Sequence, residues 1–256
     1  MADVRTGLVL SAGGLYCAYQ AGAYKAIAQH VRIDLVTGAS AGALNGWPIA
    51  AGCSPELLIE RWLDPASSDL LRLLPKPGLK KGYFDTGLLR AQTEKMVDEF
   101  QPRIPFGVTL VELPRFRTVL VRHPHVRARH LEASCSIPVF IAPVRVDGAL
   151  YADGGLIEKL PLQGAIEMGA TRIIAIDSLP LSNLWWLRLG TAFVRRFQPK
   201  RSFPPEVQIT MIAPSEPLGE TNSAVFWKRE NIERWIDLGY RDALRVLANA
   251  EYLPLP

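Results

Sequence analysis

Apolar positions along this chain fall into short runs and helical stripes. Thr6 to Ser11 is an almost continuous apolar run, the mark of a strand buried on both faces. Ala12 to Gly14 reads as a turn and Ala18 to His30 as a helix. A second run, Ile33 to Thr37, leads through a Gly-rich turn into a helix that extends to Ala51. Val108 to Glu112 and Thr118 to Val121 are apolar or β-branched runs that add strands. Val144 to Tyr151 is β-like with a turn at Asp147-Gly148. Leu162 to Met168 then reads as a helix and Arg172 to Ile176 as another buried strand. Strands alternating with helices predict an α/β fold, with a mostly parallel sheet covered on both faces. Near the end, Ile232, Trp235, Ile236, Ala243, Val246 and Leu247 predict a long helix between Val225 and Leu247, packed on the core. Pro75 to Pro77 and Pro204 to Pro205 read as loops.

At 256 residues the chain has room for one large domain or two small ones. A hydrophobic share of 48% with 21% charged residues excludes a disordered chain. Lys and Arg exceed Asp and Glu by 29 to 25, too small a surplus to imply nucleic acid unless it is concentrated. It is concentrated once, in Arg115, Arg117, Arg122, Arg127 and Arg129 with His123, His125 and His130. Phe116 is the only aromatic there, so the stretch reads as a solvated basic edge and not as a nucleic-acid surface. His123-Pro124-His125 has no acidic or cysteine ligand close by, which argues against a metal site. Cys17, Cys53 and Cys135 are sparse and unpaired in spacing; they read as small buried groups in a reducing compartment.

The amino terminus lacks the long apolar region of a signal peptide. Leu35 to Pro55 is uncharged, but its four glycines, Asn45 and Pro48 suit a strand, turn and buried helix better than a membrane span. A cytoplasmic protein is expected. Asn183 to Phe197 puts Trp185, Trp186, Leu187, Leu189, Phe193, Val194 and Phe197 on one broad side, with Arg188 and Arg195 opposite. That pattern fits a helix facing the core, the favoured reading, and also a peripheral contact with a membrane.

The candidate chemistry begins at Gly38-Ala39-Ser40-Ala41-Gly42, a G-x-S-x-G sequence between a strand and a helix. Small residues permit a sharp turn that presents the Ser40 hydroxyl beside a helix amino terminus. A plain small-residue turn explains the same letters. A serine nucleophile needs a base, and no histidine follows residue 130, so the chain lacks the late histidine of an α/β-hydrolase triad. Asp153, before Gly154 and Gly155, is the other candidate, although Asp-Gly alone more often marks a turn.

Four stretches in order change this balance: Ser11-Ala12-Gly13-Gly14-Leu15-Tyr16-Cys17, the Ser40 motif, Ala133-Ser134-Cys135-Ser136-Ile137-Pro138, and Asp153-Gly154-Gly155. Together they resemble the patatin-like phospholipases, a family of lipid acyl hydrolases, over roughly Thr6 to Pro180. The resemblance implies a three-layer α/β fold and a Ser40–Asp153 dyad without histidine. It also implies an oxyanion site at Gly13, Gly14 and Ala41, with Gly38, Gly42, Gly154 and Gly155 as supporting glycines. The expected reaction is hydrolysis of a lipid carboxylic ester through an acyl-serine, with no metal or organic cofactor. Residues 6–180 would form the catalytic core and 181–256 a helical segment packed on it. The oxyanion loop departs from the family's G-G-G-x-[RK]-G: Ala12 replaces the first glycine, Tyr16 the basic residue and Cys17 the last glycine. Two rival readings follow, acyl transfer to another alcohol and a catalytically weak lipid- or partner-binding homologue.

Overall fold

The structure, a computed structural model, describes residues 4–66, 72–78, 82–138, 140–178 and 203–250. Its centre is an eight-stranded mixed sheet. Five strands run parallel in the order β10 (Gln208–Ile212), β9 (Arg172–Ile176), β1 (Thr6–Leu10), β2 (Leu35–Gly38) and β5 (Phe106–Leu113). β6 (Arg117–Arg122), β8 (Ala149–Asp153) and β7 (Val144–Val146) continue the sheet antiparallel.

Side chains of the central strands alternate between two cores. Leu8, Leu10, Val36, Ile174 and Ile176 join the larger one, with α1 (Ala18–His30), α2 (Ala41–Ala50) and α7 (Arg229–Asn249). Val9, Leu35, Ile173 and Ala175 point the other way, onto Ala165 of α6 (Leu162–Glu167) and Ala170. Both faces are covered, which is why β1 and β9 read as continuous apolar runs.

The bounds expected for β1, α1, β9 and α6 hold to within a residue or so. β2 starts two residues later than the apolar run suggests. Asp34 is the reason: its carboxylate accepts the Thr6 N–H at 2.8 Å, so ladder pairing starts only at Gly7↔Leu35. Pro75 to Pro77 is a correction, since it lies in β3 (Arg72–Gly78), which pairs with β4 (Gly82–Asp85). A two-stranded sheet consists of edges alone, where proline's missing N–H need not break a ladder. The stretch 183–197, with its amphipathic face, lies outside the described residues.

Three helices build the space above the sheet. α3 (Pro55–Leu63) begins where Ser54 Oγ accepts the Leu57 N–H at 3.2 Å, with Pro55 in the first turn. α4 (Gly87–Glu99) and α5 (Ala128–Ser134) are clamped together at Glu132. That buried carboxylate accepts from Arg90 at 3.3 Å and from Arg129 at 2.5 Å. Among the described residues no helix is long and apolar enough to cross a membrane.

Candidate active site

β2 ends directly in the turn that carries Ser40, whose φ of 56° and ψ of −137° place it in a region side chains seldom occupy. The flanking glycines allow this turn because backbone crowds both. A Cβ on Gly38 would stand 2.6 Å from the Gly42 carbonyl oxygen, and one on Gly42 would stand 2.7 Å from that of Leu10. The Ala39 N–H donates to Leu10 O at 3.2 Å, tying the turn to β1.

Asp153 is 113 residues further on, and the register of β5 brings it to the same place. β2 pairs with β5 at Val36↔Phe106 to Gly38↔Val108, and β8 pairs at Leu110↔Asp153 to Leu113↔Leu150. β6 occupies the opposite edge of β5, so β2 and β8 lie end to end on one side of it. Because β8 runs antiparallel, the carboxyl ends of both strands meet near Thr109. Gly154 passes so close to the Thr109 carbonyl that no side chain fits, and a Cβ on Gly155 would stand 2.5 Å from Ala12 Cβ.

The Asp153 carboxyl is buried behind Ser40. Burial pushes its pKa up to about 7, against the opposing pull of the nearby Ser40 hydroxyl and of the hydrogen bond from the Gly155 N–H. The Gly155 N–H donates to Asp153 Oδ1 at 2.7 Å and fixes the carboxyl plane. Cys135 departs in part from the expectation of three small buried groups, although burial still holds its thiol protonated. Its side chain is only partly buried and faces the same cavity as Ser40, while Cys17 and Cys53 are buried.

The loop after β1 supplies backbone donors. Gly14 has φ +55° and opens a 3-10 turn, Gly14–Cys17, in which the Tyr16 N–H donates to Gly13 O at 3.2 Å. Among the described residues the N–H groups of Gly13, Gly14 and Ala41 have no protein acceptor. Gly14, Ser40 and Ala41 line a cavity of about 1040 Å³, whereas Gly13 lies behind its wall. Leu58, Trp62, Leu89, Met96, Ile137 and Ile141 make the lining mainly apolar, and most of them belong to α3 and α4. Neither helix is among the elements expected from the sequence, although Ser54-Pro55-Glu56 is a legible helix start.

Tyr16, which stands where the family has a cation, turns away from the cavity. It is buried, packs edge-on against Trp235 with ring centroids 5.0 Å apart, and donates its hydroxyl to Glu220 O. Tyr16→Phe is therefore expected to cost about 1 kcal/mol of stability and leave turnover within about twofold. Gly14→Ala should be far worse, for a reason the sequence conceals: a Cβ there would stand 2.5 Å from the Ala224 carbonyl oxygen, in a backbone region that favours glycine. Melting temperature and kcat of the two variants, measured together, check this contrast.

No histidine lines the cavity. His123 packs edge-on against Trp47 at 6.0 Å, and His130 Nδ1 accepts the Arg127 N–H at 3.0 Å, with burial pushing its pKa down. The basic stretch is matched by its own carboxylates. Arg115 and Arg117 pair with Glu112, Arg122 with Glu167, Arg127 with Asp147 and Arg129 with Glu132.

Comparison with known proteins gives the family. The sequence model described as Patatin-like phospholipase matches residues 8–166. An uncharacterized NTE family protein of Mycobacterium tuberculosis is 29% identical over 184 residues, covering 68% of this chain and 49% of its own length. The Patatin-like phospholipase domain-containing protein 7 of Mus musculus is 26% identical over 70% of this chain, and the match spans 15% of that protein. The lysophospholipase NTE1 of Meyerozyma guilliermondii is 26% identical over 69% of this chain and 13% of its own length. The chain thus spans half or less of the length of these relatives. Among solved structures, VipD from Legionella pneumophila superposes with a TM-score of 0.54 over 97% of this chain and 67% of its own, at 13% identity, a likeness of fold. With the family's sequence model matching well over half of its length, the chain belongs to the patatin-like phospholipase family.

Proposed function

We propose that the chain is a serine hydrolase of lipid carboxylic esters that works through a Ser40–Asp153 dyad. Family membership supports lipid ester hydrolysis in general. The observation that carries the finer reading is Ser40 held on a strained turn, with a buried carboxyl behind it and an apolar cavity in front. Asp153 accepts the Ser40 proton as the hydroxyl oxygen attacks the ester carbonyl. The N–H groups of Gly14 and Ala41, which line the cavity, are the donors for the oxyanion, each worth about 3 kcal/mol in comparable sites, and Gly13 supports their loop from behind the wall. As the tetrahedral intermediate collapses, Asp153 returns the proton to the leaving alcohol. A water then attacks the acyl-serine, with Asp153 again taking the proton. Collapse of this second intermediate breaks the bond to Ser40 Oγ, releases the carboxylic acid, and Asp153 returns the proton to Ser40. The cavity walls hold the acyl chain and keep bulk water away.

A fluorophosphonate probe tests the nucleophile: labelling at Ser40 supports the reading, and a folded protein that neither labels there nor hydrolyses any ester refutes it. The pH profile tests the base. Only the ionised carboxylate accepts a proton, so kcat/KM should rise as pH passes through about 7 and fall about tenfold per pH unit below it. A profile flat between pH 5 and 8 would exclude a base that titrates near 7, and loss of activity in Asp153→Asn then decides whether Asp153 is the base. Product analysis then separates water from any other acyl acceptor.

A further inference from the structure

We propose that Asn45 is a positioning residue for the Ser40 chemistry, tying the oxyanion turn and the cavity wall to the nucleophile helix through three hydrogen bonds. The inference rests on Ser40 being the nucleophile. Asn45 lies on α2, five residues after Ser40, and is 3% exposed. Its Nδ2 donates to the Cys17 carbonyl oxygen and to Gln20 Oε1, both at 2.9 Å. Its Oδ1 accepts from Trp62 Nε1, also at 2.9 Å. One side chain thereby joins α2, the turn before α1, α1 itself and α3.

The bonds continue beneath the oxyanion loop. Gln20 Nε2 donates to Ser11 O at 2.8 Å and to Ser178 Oγ at 3.1 Å, and the Ser178 N–H donates to Ser11 Oγ at 2.9 Å. Ser178 Oγ lies 2.9 Å from where a Cβ on Gly13 would be, so this network is the floor on which the loop rests. The Cys17 carbonyl closes the turn that Gly14 opens. Cys17 also caps α1, so holding its carbonyl from α2 fixes the turn, and with it the direction of the Gly14 N–H, relative to Ser40.

Chemistry explains why the residue is an amide. The site demands two donors and one acceptor in a plane, which asparagine supplies in a side chain short enough to fit here. Aspartate has the same shape and keeps the acceptor for Trp62, but it loses both donors and turns a carboxylate toward two oxygens. An apolar residue would leave the Cys17 carbonyl, Gln20 Oε1 and Trp62 Nε1 buried and unmatched. Every polar atom of Asn45 has a partner, the condition under which a buried network rigidifies a site.

The test uses Asn45→Asp in the full chain, with Asn45→Ala, smaller and uncharged, should the first variant not fold. Endpoint labelling with a fluorophosphonate counts folded sites, and turnover of a p-nitrophenyl ester is then expressed per labelled site. A misplacement of the donors by part of an ångström should lower kcat per site by about 10- to 100-fold, with labelling slowed in parallel. KM should change by no more than about twofold in Asn45→Asp, which keeps the acceptor for Trp62, and should rise further in Asn45→Ala, which removes it. Trp62→Phe, which keeps both bonds to the turn and alters the cavity wall, should raise KM more than it lowers kcat. Unchanged kcat per labelled site in both Asn45 variants, with only fewer sites or a lower melting temperature, overturns the inference and leaves Ser40 as nucleophile. A folded wild type that neither labels at Ser40 nor turns over esters overturns both.

Discussion

Replacing Asp153 with asparagine is expected to abolish ester hydrolysis while making the fold more stable at alkaline pH. Asparagine cannot accept the Ser40 proton, so kcat should fall by about three orders of magnitude or more, as removal of a catalytic base generally does. The stability change follows from the same carboxyl. Its folded pKa of about 7 exceeds the unfolded value, so the folded state is favoured most while the group is protonated. That advantage is complete below pH 4 and is lost progressively as pH rises toward and through 7. Above pH 8 the buried charge costs about 4 kcal/mol, the separation of the two pKa values at about 1.4 kcal/mol each. Asparagine removes that cost and still offers an oxygen to the Gly155 N–H. Urea denaturation of both proteins at pH 5 and pH 8.5 checks it: the gap should already be present at pH 5 and be about 3 kcal/mol wider at pH 8.5. Ser40→Ala should be as inactive without the pH-dependent gain. A well-folded Asp153→Asn protein that keeps most of its activity would refute the dyad.

Gly22→Ala should be severe for stability although it lies outside the active-site cavity. α1 and α7 cross with their backbones in contact, because Gly22 sits on the Ile236 carbonyl and Gly239 on the Tyr19 carbonyl. A methyl group at either position has no space, so the helices must separate. The neighbouring bonds then break, among them the Tyr19 hydroxyl to Asp242 at 3.1 Å and the Ser215 N–H to the same carboxylate at 2.9 Å. Overpacking of this kind costs about 3 kcal/mol, which for a domain of this size is a fall of roughly 6–12 °C in melting temperature. Gly239→Ala should behave alike, and the two together should cost less than their sum, since one separation relieves both. Wild-type melting temperatures in both single variants would show that the helices do not cross in this way.

The two results bear on different parts of the molecule, and the sequence speaks unequally about them. β1, α1, β9 and α7 are legible because their burial is one-sided or complete, and each leaves its period in the chain. The Ser40 turn is legible because Gly38 meets the backbone of its own turn, a requirement that holds whatever surrounds it, whereas Gly42 is needed because β1 packs against it. α3 and α4 are not expected from the apolar pattern, since each buries few residues and turns the rest toward a cavity or solvent. A cavity wall that only a substrate would cover does not show the stripe of a core helix.

The order of the motifs, the absence of a late histidine and the strand before Ser40 are properties of the sequence alone, and they suffice to nominate Ser40 and Asp153. That the two meet is decided by tertiary structure. β2 and β8 lie end to end along β5, and a shift of one residue in either register would turn side chains to the opposite face. The same holds for the raised pKa of Asp153, which comes from burial by segments distant in the chain. Tyr16 faces Trp235 and not the oxyanion, and Asn45 gathers Cys17, Gln20 and Trp62 from three other parts of the fold. Periodicity and turn chemistry are local, so one stretch of chain carries them. Desolvation and hydrogen-bond geometry depend on which segments pack together, and no single segment contains that information.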